Sequence, residues 1–152
     1  MFARVLFMLF DVCVALRAVV WNLFYPSRKK RQIYVDYGEV EISAIIANAL
    51  NAKTEVILPD RARVDILTHS EAIKVDWAHK WAEGIGQALY YGAITKKTPV
   101  VLLLMNTADE ERYLARVRQV ISTYSNTKLK LWLFNLHTGE LDMGKKGVYQ
   151  IS

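Results

Sequence analysis

Arg63-Val64-Asp65-Ile66-Leu67-Thr68-His69-Ser70-Glu71-Ala72-Ile73-Lys74-Val75-Asp76-Trp77-Ala78 is the stretch on which the fold turns. Two β-prone runs, 63–68 and 72–78, flank His69-Ser70, and this pattern predicts two strands joined as a hairpin. Charged residues sit inside both apolar runs: Asp65 in the first, Lys74 and Asp76 in the second. Lys74 and Asp76 are two apart and share a strand face, whereas Glu71 alternates to the opposite one.

Working outward, residues 79–94 read as a helix that packs through Trp81, Ile85, Ala88 and Leu89. Lys80, Gly84, Gln87 and Tyr91 share another face by their three- and four-residue spacing. Gly84 on that face predicts room for a ligand to approach. Upstream, Asp36 and Glu39 have the spacing of a capping box before Ile42, Ile45, Ile46 and Ala49, so a helix is expected to end near Asn51. Residues 55–58 read as a short strand closed by a Pro59-Asp60 turn. Downstream, 100–105 is an uninterrupted apolar run, the pattern of a strand buried on both faces. Thr107 and Glu110 predict the cap of a helix running to about Tyr124, and 129–136 a further strand. After His137-Thr138-Gly139 the pattern gives a turn and one edge strand. The order is α-β-β-β-α-β-α-β, a mixed α/β layer architecture without repeats.

At 152 residues, with 53% of them apolar, the chain has the length of one ordinary domain and the means to bury a core. The lone cysteine, Cys13, excludes an intrachain disulfide and the common cysteine-based zinc patterns. The net charge of +5 arises from Arg4, Arg17, Arg28, Lys29, Lys30 and Arg31 against Asp11, because from Gln32 onward basic and acidic residues cancel. That places the basic character beside a membrane more readily than on a nucleic-acid-binding domain surface.

Residues 2–25 are almost continuously apolar and long enough to cross a bilayer core of roughly 30 Å as a helix. Asp11 within the segment costs on the order of 3 kcal/mol, which makes unaided insertion marginal. Arg4, Asp11, Ala15, Ala18 and Asn22 fall on one narrow helical face, suited to a protein partner. Three readings compete: a membrane anchor, a cleaved export signal, and a helix packed on the domain. Membrane association is favoured, with the Arg28-Lys29-Lys30-Arg31 cluster holding the domain in the cytoplasm; export after cleavage is the alternative. The chain divides into a hydrophobic anchor- or signal-like helix (1–26), a basic linker (27–32) and a domain (33–152).

The element order, Asp65 in the second strand, Lys74-Val75-Asp76 in the third and Gln87-Ala88-Leu89-Tyr90-Tyr91 in the next helix together resemble the PD-(D/E)XK nuclease superfamily. The last string resembles the Gln-x-x-x-Tyr motif of its RecB-like members, and the run from Arg63 to Tyr91 resembles small uncharacterised bacterial proteins of this type. The resemblance covers roughly Asp36 to Met105. It implies a restriction-endonuclease-like α-β-β-β-α-β sheet and Mg²⁺- or Mn²⁺-dependent hydrolysis of phosphodiester bonds in DNA or RNA. Such chemistry uses carboxylates to hold hard cations and a lysine to stabilise developing negative charge. The resemblance makes Asp65, Asp76 and Glu41 (or else Glu39) the metal ligands. It makes Asp65, Lys74, Asp76, Lys80, Gln87 and Tyr91 the catalytic set.

One departure matters. The family places an acid, then one residue, then lysine on the third strand; here Lys74 holds the acid's place and Asp76 the lysine's. Asp76 is displaced about 6–7 Å along the strand from the expected ligand position, large against metal–oxygen distances of about 2 Å. Lys80 offers a partial repair, since some members of the superfamily carry the lysine on this helix. His69, His79 and His137 have no mutual ligand spacing, and Gly84-Ile85-Gly86 sits within a helix rather than after a strand, so neither a histidine metal site nor a phosphate-cradling loop is expected. The leading expectation is a membrane-tethered, metal-dependent nuclease. Its alternatives are a catalytically degenerate nuclease-fold protein acting as a membrane-associated binding or scaffold module, and an interaction protein unrelated to nucleic acid.

Overall fold

The apolar run Thr98–Met105 becomes the fourth of seven strands, and the whole sheet is built around it. The computed structural model describes residues 34–151; the expectations for residues 1–32, including the hydrophobic helix and the basic linker, lie outside them. In chain order the elements are α1 (Glu39–Ala49), β1 (Lys53–Ile57), β2 (Arg63–Leu67), β3 (Glu71–Trp77), α2 (Trp81–Thr95), β4 (Thr98–Met105), α3 (Glu111–Thr123), β5 (Lys130–Asn135), β6 (Glu140–Asp142) and β7 (Val148–Gln150). Spatial order follows chain order. β1, β2 and β3 pair antiparallel, β3, β4 and β5 parallel, and β5, β6 and β7 antiparallel again.

Alternation along the strands divides the core. Ile73, Val75, Val100, Leu102, Leu104, Trp132 and Phe134 pack on one face with Ile42 and Ile46 of α1. Val101 and Leu103 pack on the other with Ile85 and Ala88 of α2 and Leu114 and Val117 of α3. Both crossovers between parallel strands therefore run over the same face, leaving α1 to cover the opposite one. Near the end of the described chain, the Tyr34 hydroxyl donates to the Ile151 carbonyl at 3.1 Å.

Several expectations need correction. The Asp36–Glu39 capping box is absent: Gly38 is the N-cap of α1 and no side chain caps it. The capping box expected of Thr107 and Glu110 is present, with the Glu110 carboxylate accepting from the Thr107 backbone N–H at 3.1 Å. Where one edge strand was expected after Gly139, two strands extend the sheet. Both are three residues long, too short for an alternation to register in the sequence.

Among the described residues, no helix is long and apolar enough to cross a membrane.

Candidate functional site

The β2–β3 ladder pairs only Ile66 with Ile73 and Leu67 with Ala72, and the strands separate at Asp65. Where the next ladder bond would fall, the Asp65 carboxylate takes over. The Val75 N–H donates to Asp65 Oδ2 at 2.7 Å, so a side chain stands where a backbone carbonyl would in an unbroken sheet. On the neighbouring strand Glu55, facing Asp65 in the register, has φ 51°, a left-handed conformation that is uncommon for a non-glycine residue. The pleat of the β1–β2 hairpin changes face there. Val64 packs with Leu58, Ala72 and Tyr91, whereas Ile66, two residues on, packs in the core under α1. The break turns Asp65 toward Lys74.

Lys74 is the centre of the site. Its Nζ lies 2.9 Å from Asp65 Oδ2 and 3.2 Å from Glu39 Oε1 at the start of α1. Its side chain is only 10% exposed, Asp65's 14% and Glu39's 27%. Burial works against the ammonium, but the Asp65 and Glu39 carboxylates outweigh it and hold Lys74 above its ordinary pKa. The lysine is thus firmly cationic at neutral pH. Asp76, two residues along the same strand face, is buried. Its Oδ1 accepts from the Trp77 N–H at 2.9 Å and lies 3.9 Å from Lys80 Nζ. Burial, reinforced by the Glu39 carboxylate, pushes the Asp76 carboxyl up to about 6.

Gly84 fixes how closely α2 approaches this strand. A Cβ there would meet Val101 Cγ2 at 3.1 Å and Asp76 Cβ at 3.5 Å. The expectation that Gly84 leaves room for a ligand is therefore corrected: the helix backbone itself fills that room. Farther along α2, the Tyr91 hydroxyl donates to Gln87 Oε1 at 3.3 Å, and Gln87 Nε2 donates to Glu83 Oε1 at 3.0 Å. Burial, then the nearby Asp65 carboxylate, raises the Tyr91 phenol. Tyr91 thus stands within the field of the site, while Gln87 serves chiefly to orient it.

Of the residues expected here, Asp65, Lys74, Asp76 and Lys80 come together, with Tyr91 close by and Gln87 behind it. Glu41 does not join them. It is exposed, and its Oε2 would lie 2.5 Å from a Cβ built on Gly38, so the side chain folds back over the helix start. Glu39 takes the place of the helix acid, because the first residue of α1 faces Lys74 and the third has turned about 200° away. Among the described residues, no three His, Cys, Asp or Glu side chains form a group that could hold a metal ion. His69 and His79 are exposed, and the His137 ring nitrogen lies 2.6 Å from the Asn106 carbonyl.

A second charged cluster forms around Glu71, which the alternation of β3 puts on the face opposite Lys74. Glu71, at the other end of β3, is buried. It accepts from Thr68 Oγ1 at 2.6 Å and Ser70 Oγ at 2.7 Å, and it pairs with Lys146 and Lys130. Burial would raise this carboxyl, but the bonds from Lys146, Thr68 and Ser70 prevail and hold it at about 2. The run Thr68-His69-Ser70-Glu71 carried part of the signal, two hydroxyls just ahead of an acid at a hairpin; the lysines lie 59 and 75 residues away.

Compared with known proteins, the chain matches no family model, no curated protein and no solved structure.

Proposed function

We propose that residues 34–151 form a PD-(D/E)XK-like body whose site is closed by its own lysine, and that it acts as a membrane-associated binding or scaffold module without hydrolysing nucleic acid. The element order and the position of Asp65 at the parting of β2 and β3 support the kinship with restriction-endonuclease-like folds. One observation carries the loss of catalysis: the Lys74 ammonium lies between Asp65 and Glu39, where a cation would otherwise be held. Asp65 Oδ2 is already engaged by Lys74 and by the Val75 N–H.

Mg²⁺ requires several oxygen ligands at about 2.0–2.1 Å. To reach them it would have to displace one buried cation and tolerate a second, Lys80, near Asp76. As arranged, the donor set does not fit Mg²⁺ or Mn²⁺. Fold alone does not bring function with it, and this site differs where the chemistry would lie.

The rival reading, a metal-dependent nuclease, draws on Asp76. Burial, reinforced by Glu39, holds its pKa near 6, and a divalent cation would stabilise the charged form. Calorimetric titration of the full chain with Mg²⁺ and Mn²⁺, alongside incubation with plasmid and single-stranded DNA and with RNA, separates the two. The expected result is neither binding nor cleavage in the wild type, with binding gained in Lys74→Glu, which replaces the buried cation by a fourth carboxylate. Metal-dependent cleavage by the wild type that Asp65→Ala abolishes would overturn the proposal.

A further inference from the structure

From Gln32 onward charges cancel in number but not in position. The parallel strands β4 and β5 begin at one end of the sheet, and the turn between β6 and β7 returns to it. There Lys96, Lys97 and Lys128 line a cavity of about 490 Å³. Arg118, Lys130, Lys145 and Lys146 surround a neighbouring cavity of about 750 Å³, floored by Ile121, Leu129, Leu131, Leu133 and Met143. Against these cations stand Glu71, buried beneath Lys130 and Lys146, Asp142, whose Oδ1 accepts from the Gly144 N–H at 2.8 Å, and Glu111, whose exposed carboxylate lies 3.9 Å from Arg118. Glu39, Asp65 and Asp76 belong to the other cluster, around Lys74.

Local duties account for only part of the basic cluster. Lys96 lies at the C-cap of α2 and Lys128 closes the turn after α3, where cations complement the negative ends of helices. Lys97 donates to the Thr68 and His69 carbonyls, at 2.7 and 2.5 Å. Lys145 sits in the single helical turn Gly144–Lys146 and has no ion pair among the described residues, and both cavities remain rimmed by cations in excess of carboxylates.

We propose that this end of the body lies against an anionic lipid bilayer, its lysines and arginine among the headgroups and the aliphatic cavity facing the acyl chains. Basic side chains around an aliphatic floor match that interface in both charge and polarity. A nucleic-acid strand is the poorer fit, because no aromatic side chain lines either cavity and bases would have nothing to stack on. The inference does not depend on whether the Lys74 site is catalytic.

The test is flotation of the full chain with vesicles of phosphatidylcholine alone and of phosphatidylcholine with phosphatidylserine. The neutral vesicles measure any apolar contribution from residues 2–25; the increment on anionic vesicles sums the Arg28–Arg31 cluster and the basic end, and the part lost in the variants belongs to the basic end. Each lysine near an anionic surface contributes roughly a fivefold factor in partitioning. Lys96→Glu/Lys128→Glu/Lys145→Glu, which removes three positive charges and adds three negative ones, should therefore lower the anionic increment by at least about a hundredfold. A control with equal charge change, Arg61→Glu/Arg112→Glu/Arg116→Glu, should lower it far less, and added salt should shrink the wild-type increment. A triple Lys→Gln variant at the same three sites serves if the reversal melts early. The proposal is overturned if phosphatidylserine adds nothing, or if control and test variants lose equally. It is likewise overturned if the test variant loses oligonucleotide binding while its vesicle partitioning is unchanged.

Discussion

Lys74→Ala probes the centre of the site directly. The substitution removes the cation from between Asp65 and Glu39, leaves Asp76 with Lys80 alone, and keeps the strand backbone intact. Breaking a buried ion pair from one side typically costs about 3–5 kcal/mol, because the remaining charge stays desolvated. Glu39 is more than a quarter exposed and can turn to water, so the lower part of that range is expected. For a body of this size each kcal/mol corresponds to roughly 3–6 °C, which predicts a melting temperature lowered by about 10–15 °C at neutral pH. Protonation relieves the uncompensated carboxylates, so the deficit should narrow as the solution is acidified. Asp65→Asn in the same chain should recover much of it, since neighbouring members of one network couple strongly. Mn²⁺ should raise the melting temperature of Lys74→Ala and leave the wild type unmoved, by mass action on a site only the variant offers. Urea titrations at neutral and mildly acidic pH provide the measurement. A cost under about 1 kcal/mol, or a deficit indifferent to pH, would refute the account of Lys74 as the buried counter-charge.

Other consequences can be read from single groups. The folded-state pKa of Asp76 is raised from 3.8 to about 6, so its contribution to stability declines as pH rises through that window. Asp76→Asn should consequently stabilise the protein at neutral pH by about 1–3 kcal/mol and flatten that part of the thermal pH profile. Glu71 has the opposite sign: held at about 2 against an ordinary 4.5, it contributes stability above 4.5 that is lost as pH falls toward 2. Glu71→Gln should cost on the order of 2–3 kcal/mol at neutral pH and remove the acid-side loss, as denaturant midpoints across pH would show. Gly84→Ala forces a methyl group to 3.1 Å from Val101 Cγ2 and should destabilise by about 1–3 kcal/mol, although alanine is the better helix former.

Much of the architecture was legible because β4 and its crossover helices have patterns with one physical solution. A run such as Thr98–Met105, buried almost throughout, must have helices over both faces, and the amphipathic patterns around it supply them. The β6 and β7 strands were less so, since three residues cannot distinguish alternation from turn; β6 is held by pairing with β5, and β7 by pairing with β6. At the site, the shared face of Lys74 and Asp76 followed from the pleat, but the partners of Lys74 did not. Which of Glu39 and Glu41 faces the sheet depends on where α1 begins, and Gly38, rather than a side-chain cap, decides that. The change of face at Glu55 and Asp65 was likewise hidden, because a left-handed glutamate leaves no mark in the local sequence.

The order of Lys74 and Asp76 along β3 matters through its electrostatics. With an acid at position 74 and a lysine at 76, Asp65 and Glu39 would face a third carboxylate, and only a multivalent cation could hold them together. With lysine at 74 the chain supplies a neutralising cation itself. Asp76 remains a buried acid near Glu39, with Lys80 Nζ 3.9 Å from its Oδ1, and burial together with Glu39 raises its pKa. Reversing the order with Lys74→Glu/Asp76→Lys should therefore make stability metal-dependent, with the melting temperature rising with Mg²⁺ concentration. If the double variant instead folds as stably without metal as the wild type, the carboxylates are not confined by the sheet and the electrostatic account of the site is wrong.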